Sequence, residues 1–248
     1  MTTCYARNIA LVVCLGLAPV AAAAQDVPAP PAAQRSIIQT IAADLKSVVS
    51  PESVSVLSSA AAFALFASPF DANLTFSASC STFLKTTFEG WARTAGQEWV
   101  LGSGALATYV IGRTTDHQKL AAVGGDLLEA QLVAGAATFA LKHAVRRTRP
   151  DGEPRSFPSG HATGTFAAAT VVQRHYGLKG AIPAYTAAVL ISGARMQANS
   201  HYPTDIIMGA ALGILSGRAA TFELGGRAVS LAPSASPGGG FAVSGTIR

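Results

Sequence analysis

Three short stretches hold the side chains that can do chemistry, and they follow one another between residues 142 and 205. The first contains Lys142, Arg149 and Pro150, the second is Pro158-Ser159-Gly160-His161, and the third contains Arg195, His201 and Asp205. Lys142, Arg149 and Arg195 are cations on separate elements, and each arginine can donate two parallel hydrogen bonds to a tetrahedral oxyanion. Pro158-Ser159-Gly160 runs directly into a helical pattern, so its free backbone N–H groups and the positive end of the helix dipole form a cradle for an anion. Gly160 lets a ligand approach the backbone closely, and the Ser159 hydroxyl adds a donor. His201 and Asp205 stand four residues apart at the start of another helix, which puts them on one face. The carboxylate can then accept from one imidazole nitrogen, fix the tautomer and leave the other nitrogen free to attack. His161, beside the cradle, is placed to protonate a leaving group.

Each stretch taken alone has a plainer reading. The basic run is a solvated helix end, Pro-Ser-Gly-His is a helix cap, and a His/Asp pair at i, i+4 is structural. Their order and internal spacing together favour the chemical reading. His143, Arg146, Arg147, Arg155 and His175 read as structural or surface residues, and Asp151 as a partner for a nearby arginine.

The elements that must position these groups are helical. Apolar residues recur at helical spacing over residues 36–49. An uncharged, Ala-rich run follows over 54–70, with Pro69 near its end. Residues 74–87 are ambiguous. Further helices are expected over 90–112, 117–142, 161–175, 182–196 and 203–218, with Pro203 suited to a first turn. Pro150, Gly152, Pro154 and Pro158 mark a loop over 150–158. After Leu224 the chain turns Gly/Pro/Ser-rich, and short alternating pieces there predict a β-hairpin or an irregular arm.

Composition limits the classes. Half of the 248 residues are hydrophobic and 12% are charged, which excludes a disordered chain. Abundant Gly and Ala with few aromatics point to closely packed helices. The formal charge of +5 fits an anionic substrate but decides nothing alone. Arg7, an apolar stretch from Ile9 to Val20 and Ala22-Ala23-Ala24 predict a signal peptide over residues 1–24. A flexible lead-in over 25–35, a helical domain over 36–224 and a tail over 225–248 complete the expected organisation. Cleavage would leave Cys80 as the lone cysteine, a small buried apolar residue with no disulfide. No zinc-type Cys/His spacing occurs. The helices read as uncharged for about 12 to 17 residues at most, or carry acids within them, which favours a soluble bundle over a membrane-embedded one.

The three stretches resemble the signature of the superfamily that joins type-2 phosphatidic acid phosphatases, bacterial class A acid phosphatases and vanadium haloperoxidases: Lys-x6-Arg-Pro, then Pro-Ser-Gly-His, then Ser-Arg-x5-His-x3-Asp. Lys142, Arg149 and Pro150 match the first part, Pro158 to His161 the second, and Arg195, His201 and Asp205 the third. Ala194 stands where the signature has Ser, which bears on the fine positioning of Arg195. The resemblance implies an all-α helical bundle and phosphate-ester hydrolysis in two steps. His201 attacks phosphorus to give a phosphohistidine, and His161, starting protonated, supplies the leaving group's proton and then activates water. Lys142, Arg149, Arg195, Ser159 and the Gly160 N–H stabilise the equatorial oxygens, with no metal and no cofactor. Vanadate is expected to bind as a phosphate mimic.

The main expectation is an exported periplasmic phosphatase acting on a small phosphate ester or a lipid phosphate, with no nucleic-acid partner, a possible association with the membrane and an acidic to near-neutral optimum. The alternatives are an inner-membrane phosphatase of lipid phosphates or undecaprenyl diphosphate, which the His201-Tyr-Pro-Thr-Asp205 wording is similar to, then a vanadium-dependent haloperoxidase, then a non-catalytic anion-binding protein.

Overall fold

The computed structural model describes residues 51–80, 89–221, 229–235 and 241–247. The expected signal peptide over 1–24, the lead-in over 25–35 and the helix over 36–49 lie outside the described residues. Among the described residues seven α-helices follow in order: α1 Pro51–Ala67, α2 Asp71–Ser79, α3 Glu89–Ala95, α4 Glu98–Thr114, α5 Gln118–Val145, α6 Gly160–Gln197 and α7 Pro203–Ala220. Two antiparallel strands close the chain, β1 Val229–Ala235 and β2 Phe241–Ile247, with Val229 opposite Ile247 and Ala235 opposite Phe241. The expected all-α bundle with a C-terminal hairpin is therefore what forms.

Small residues set how closely the helices pack. Gly209, Gly213 and Gly217 recur every four residues along α7 and meet the backbone of α6. A Cβ on Gly213 would stand 2.3 Å from the Thr163 carbonyl oxygen, and one on Gly209 would stand 2.7 Å from that of Ser159. Larger side chains would push the helices apart, and with them the site at their N-terminal ends. α4 and α5 form a second close pair, where Cβ atoms on Gly112 and Gly124 would lie 2.2 Å from the backbone nitrogens of Ala121 and Tyr109. The core is correspondingly Ala-rich. Ala130, Ala134, Ala167 and Val171 form one cluster, and Ala162, Ala188 and Ala210 gather around Phe166 in another.

Three elements differ from the sequence expectation. The helices expected over 161–175 and 182–196 are joined as α6, interrupted only at Gly177 (φ 61°). The helix expected over 90–112 is split at Gly96 and Gln97 into α3 and α4. Gly96 is held there by close packing, since a Cβ would lie 2.6 Å from His161 Cδ2 and 2.7 Å from Ile191 Cγ2. Finally, Pro69 does not end the apolar run at residue 70. It sits in a 3-10 turn, Ser68–Phe70, whose opening position tolerates proline, and the chain continues helically into α2. Cys80 is disulfide-bonded, where the sequence expectation was a lone cysteine with no disulfide.

The joined α1–α2 segment corrects the reading of short apolar stretches. Ser53–Ser79 is 27 residues long with mean hydropathy 1.5, and Gln118–Val145 is 28 residues with mean hydropathy 1.3. Both are long and apolar enough to cross a membrane. Leu65, Phe66 and Leu132 are 74%, 73% and 74% exposed, and Phe63, Trp99, Phe139 and Ile182 are also exposed. A row of large apolar side chains on the outside of a helical bundle marks contact with another apolar phase.

Candidate active site

The three stretches converge at one end of the bundle, where α5 ends and α6 and α7 begin. Arg146 adopts a left-handed conformation (φ 51°) and terminates α5, its N–H bonding the Lys142 carbonyl. The following loop folds back on itself: Arg149 N–H donates to the Glu153 carbonyl at 2.8 Å, and Ser156 N–H to that of Arg147 at 2.7 Å. Asp151 N–H donates to the Asn199 carbonyl at 3.0 Å, which ties this loop to the turn before His201. Ser159 caps α6, accepting from Ala162 N–H through its side chain. Its own N–H donates to the Asp205 carbonyl at 3.0 Å, which fixes the cradle against the first turn of α7.

The cations gather around this point. Lys142 interacts electrostatically with Arg149 and Asp205, Arg195 with Arg149 and Asp151, and His161 with Arg195, His201 and Lys142. Asp151 carries the negative charge that acts on Arg195 here. Two buried guanidinium donors here have no hydrogen-bond partner, Arg149 Nε and Arg195 Nε, and His201 Nδ1 makes no hydrogen bond but stands 3.7 Å from Asp205 Oδ2. Buried donors are normally satisfied, so this concentration of unmet N–H groups beside a helix N-terminus describes a receptor for an oxyanion. Among the described residues no three His, Cys, Asp or Glu side chains gather into a metal-ligand set.

His201 is 3% exposed. Burial, above all, pushes its imidazole below the ordinary histidine range, and Lys142 and Arg195 act in the same direction against the pull of Asp205. The neutral ring is therefore favoured. The Nδ1–Asp205 Oδ2 separation is 3.7 Å, an ion-pair distance longer than a hydrogen bond. The tautomer-fixing hydrogen bond expected from the i, i+4 spacing is thus not formed in this state. Asp205 is occupied otherwise: Oδ2 accepts from Ser156 Oγ and from Tyr202 N–H at 2.9 Å, and Oδ1 accepts from Arg147 Nη1 at 2.9 Å. The Tyr202 bond is half of a capping box at the start of α7, which explains an acid at this position. His161 is half-buried at the start of α6, and its Nε2–H donates to the Arg93 carbonyl of α3 at 3.1 Å. Lys142 Nζ donates to the Arg155 carbonyl at 2.8 Å.

Sequence reasoning left Arg147 as a structural or surface residue and made no use of Asp71. The structure joins them. Arg147 reaches Asp71 Oδ2 at 2.7 Å, Thr204 Oγ1 at 2.6 Å and Asp205, and stacks over the Tyr202 ring at 4.2 Å. Asp71, 4% exposed at the start of α2, also accepts from Thr204 N–H and Oγ1. A buried acid in an apolar helical segment was the signal available in the sequence.

Residues 124–222 match the family description PAP2 superfamily, and that span contains all eight predicted site residues. That stretch of the chain is similar to this superfamily. Among proteins of known role, the PAP2 region is similar to the lipid A 1-phosphatase of Porphyromonas gingivalis, 38% identical over 87 residues, which are 34% of this chain and 20% of that protein. It is also similar to the decaprenylphosphoryl-5-phosphoribose phosphatase of Mycobacterium tuberculosis, 36% identical over 113 residues, covering 39% of this chain and 62% of that protein. The chain thus spans between a fifth and about three fifths of the length of these relatives. Among solved structures, Aquifex aeolicus LpxE aligns with a TM-score of 0.46 at 25% identity, over 55% of this chain and 84% of that one.

Proposed function

We propose that this protein is a membrane-embedded phosphatase that removes a phosphate monoester from a lipid or lipid-linked substrate through a phosphohistidine on His201. The observation that supports it most is the pair of buried guanidinium donors without a hydrogen-bond partner, Arg149 Nε and Arg195 Nε, in the same charged cluster as His161 and His201. The expectation of a soluble periplasmic enzyme gives way to the membrane alternative because of the two long apolar helices and the outward-facing Leu65, Phe66 and Leu132. The relatives' activities, on lipid A and on a decaprenyl-linked phosphoribose, favour the same reading.

In this mechanism neutral His201 attacks phosphorus in line, and the leaving oxygen takes a proton from His161. Arg149, Arg195, Lys142, Ser159 and the Gly160 N–H hold the equatorial oxygens, where charge develops. Asp205 stabilises the ring as it gains positive charge. Water, deprotonated by His161, then releases phosphate. Vanadate, which adopts the shape of the transferring group, is the expected inhibitor.

Phosphate release from phosphatidic acid, a glycolipid phosphate, a polyprenyl diphosphate and p-nitrophenyl phosphate in mixed micelles tests the activity. A radiolabelled, acid-labile phosphoenzyme in the wild type that is missing in His201→Ala is expected. Turnover retained by His201→Ala would remove that residue from its role.

A further inference from the structure

The break between α3 and α4 frees one backbone acceptor for His161. Had the helix run on through Gly96 and Gln97, the Arg93 carbonyl would accept from the Gln97 N–H four residues ahead. Gln97 N–H instead donates to the Thr94 carbonyl at 3.1 Å. The Arg93 carbonyl accepts from His161 Nε2, 68 positions away in the chain, at 3.1 Å. A carbonyl oxygen can only accept, so Nε2 carries the proton of the neutral ring. Nδ1 is then the nitrogen left to give or take one.

The next turn of chain confines the same ring by shape. Gly96 is buried, and a Cβ there would lie 2.6 Å from His161 Cδ2, 3.2 Å from His161 Cγ and 2.7 Å from Ile191 Cγ2. Ile191 is β-branched, 4% exposed and packed with Ala92 and Ala194, so it has little room to yield. Ala194, which stands where the signature has Ser, is thus part of the apolar pad on which α3 rests. Burial, above all, and then Arg195 push the His161 imidazole down to about 4, with His201 and Lys142 acting the same way, while the Arg93 carbonyl opposes them.

On the phosphatase reading above, we propose that the end of α3 positions the general acid: the Arg93 carbonyl fixes the His161 ring, and Gly96 leaves the space the ring occupies, so that Nδ1 serves the leaving group. As the P–N bond to His201 forms and the P–O bond breaks, the electron pair stays on the leaving oxygen, which takes the Nδ1 proton. In the second step Nδ1 recovers a proton from water, whose oxygen bonds phosphorus as the P–N bond breaks. Arg93 and Gly96 are positioning residues that act through His161.

Gly96→Ala is the direct probe. The constant kcat/KM covers the steps up to leaving-group departure, so two substrates in the same mixed micelles separate the roles. Phosphatidic acid releases an alcohol, which needs the proton, and p-nitrophenyl phosphate releases a phenolate, which does not. A fall of about a hundredfold is expected on phosphatidic acid and of no more than about threefold on p-nitrophenyl phosphate. With the latter, labelled phosphoenzyme should accumulate, because the second step still needs the base. Placed in His161→Ala, the Gly96→Ala change should cost nothing further on phosphatidic acid, since the two act as one unit. Gly90→Ala, in the same helix with no atom within 4 Å of its Cβ, should keep both activities. Should Gly96→Ala not fold, an ester in place of the amide between Arg93 and Thr94 weakens that carbonyl as an acceptor without adding bulk. It should show the same selectivity with a loss of about fivefold. Equal losses on the two substrates, losses that add in the double variant, or no loss from either change overturn the proposal. Inactivity of the wild type on both substrates overturns the phosphatase reading instead.

Discussion

At the scale of single residues, the buried His201 ring is the group whose titration matters most. Its proton affinity is lowered by burial and by Lys142 and Arg195, so the neutral ring, which the proposed attack needs, persists below the ordinary histidine value of about 6.5. The acid limb of kcat/KM against pH is therefore expected below about 6.5, and a midpoint above that value counts against His201 as the attacking group. The same shift has a stability consequence. A histidine whose folded value is depressed binds its proton better in the unfolded chain, so the folded state loses stability as pH falls through and below the ordinary value. Thermal unfolding in detergent should show that slope, and His201→Asn should flatten it.

At the scale of elements, one contact network couples the peripheral α1–α2 segment to the first turn of α7. Arg147 stands between Asp71 and Asp205, which are 5% and 0% exposed at the side chain. Arg147→Ala leaves both acids buried without their cation, a loss of about 3–5 kcal/mol. Unfolding should shift accordingly, and Arg147→Lys should recover only part because a point charge cannot fork between two carboxylates. A variant that melts like the wild type would show the network to be incidental. A second element-scale prediction concerns the helix crossing between α4 and α5. Gly124→Ala would drive a methyl into the Tyr109 backbone, so about 1–3 kcal/mol of destabilisation is expected from overpacking. Denaturation midpoints of the two proteins check this.

At the scale of the whole molecule, the exposed Leu65, Phe66, Leu132, Phe139 and Ile182 side chains need an apolar surrounding. Polar groups face inward instead: Asp126 is buried and accepts from His175 at 2.6 Å, between α5 and α6. This inside-out distribution fits a bundle that lies in lipid and places its site at the helix ends, where water and headgroups meet. After expression and cell lysis, the protein should remain in the membrane pellet through an alkaline carbonate wash and leave it only with detergent. Release by osmotic shock would restore the soluble periplasmic reading.

The sequence by itself determined the helical class and which side chains a shared site would draw on. Two imidazoles, three cations and a Pro-Ser-Gly turn at fixed spacing are rare together, and His201 and Asp205 lie close because four residues are one helical turn. Abundant Gly and Ala likewise announced close helix packing, which the α6–α7 contact at Gly213 realises. Tertiary structure alone decided the rest. The bond from Arg147 to Asp71 spans 76 positions, and no local pattern selects such a partner. The 3.7 Å between His201 and Asp205 depends on Ser156, Tyr202 and Arg147 competing for the same carboxylate. Whether Pro69 ends a helix or bends it, and which apolar faces remain outside, depends on what packs against them, and that is settled only when distant segments meet.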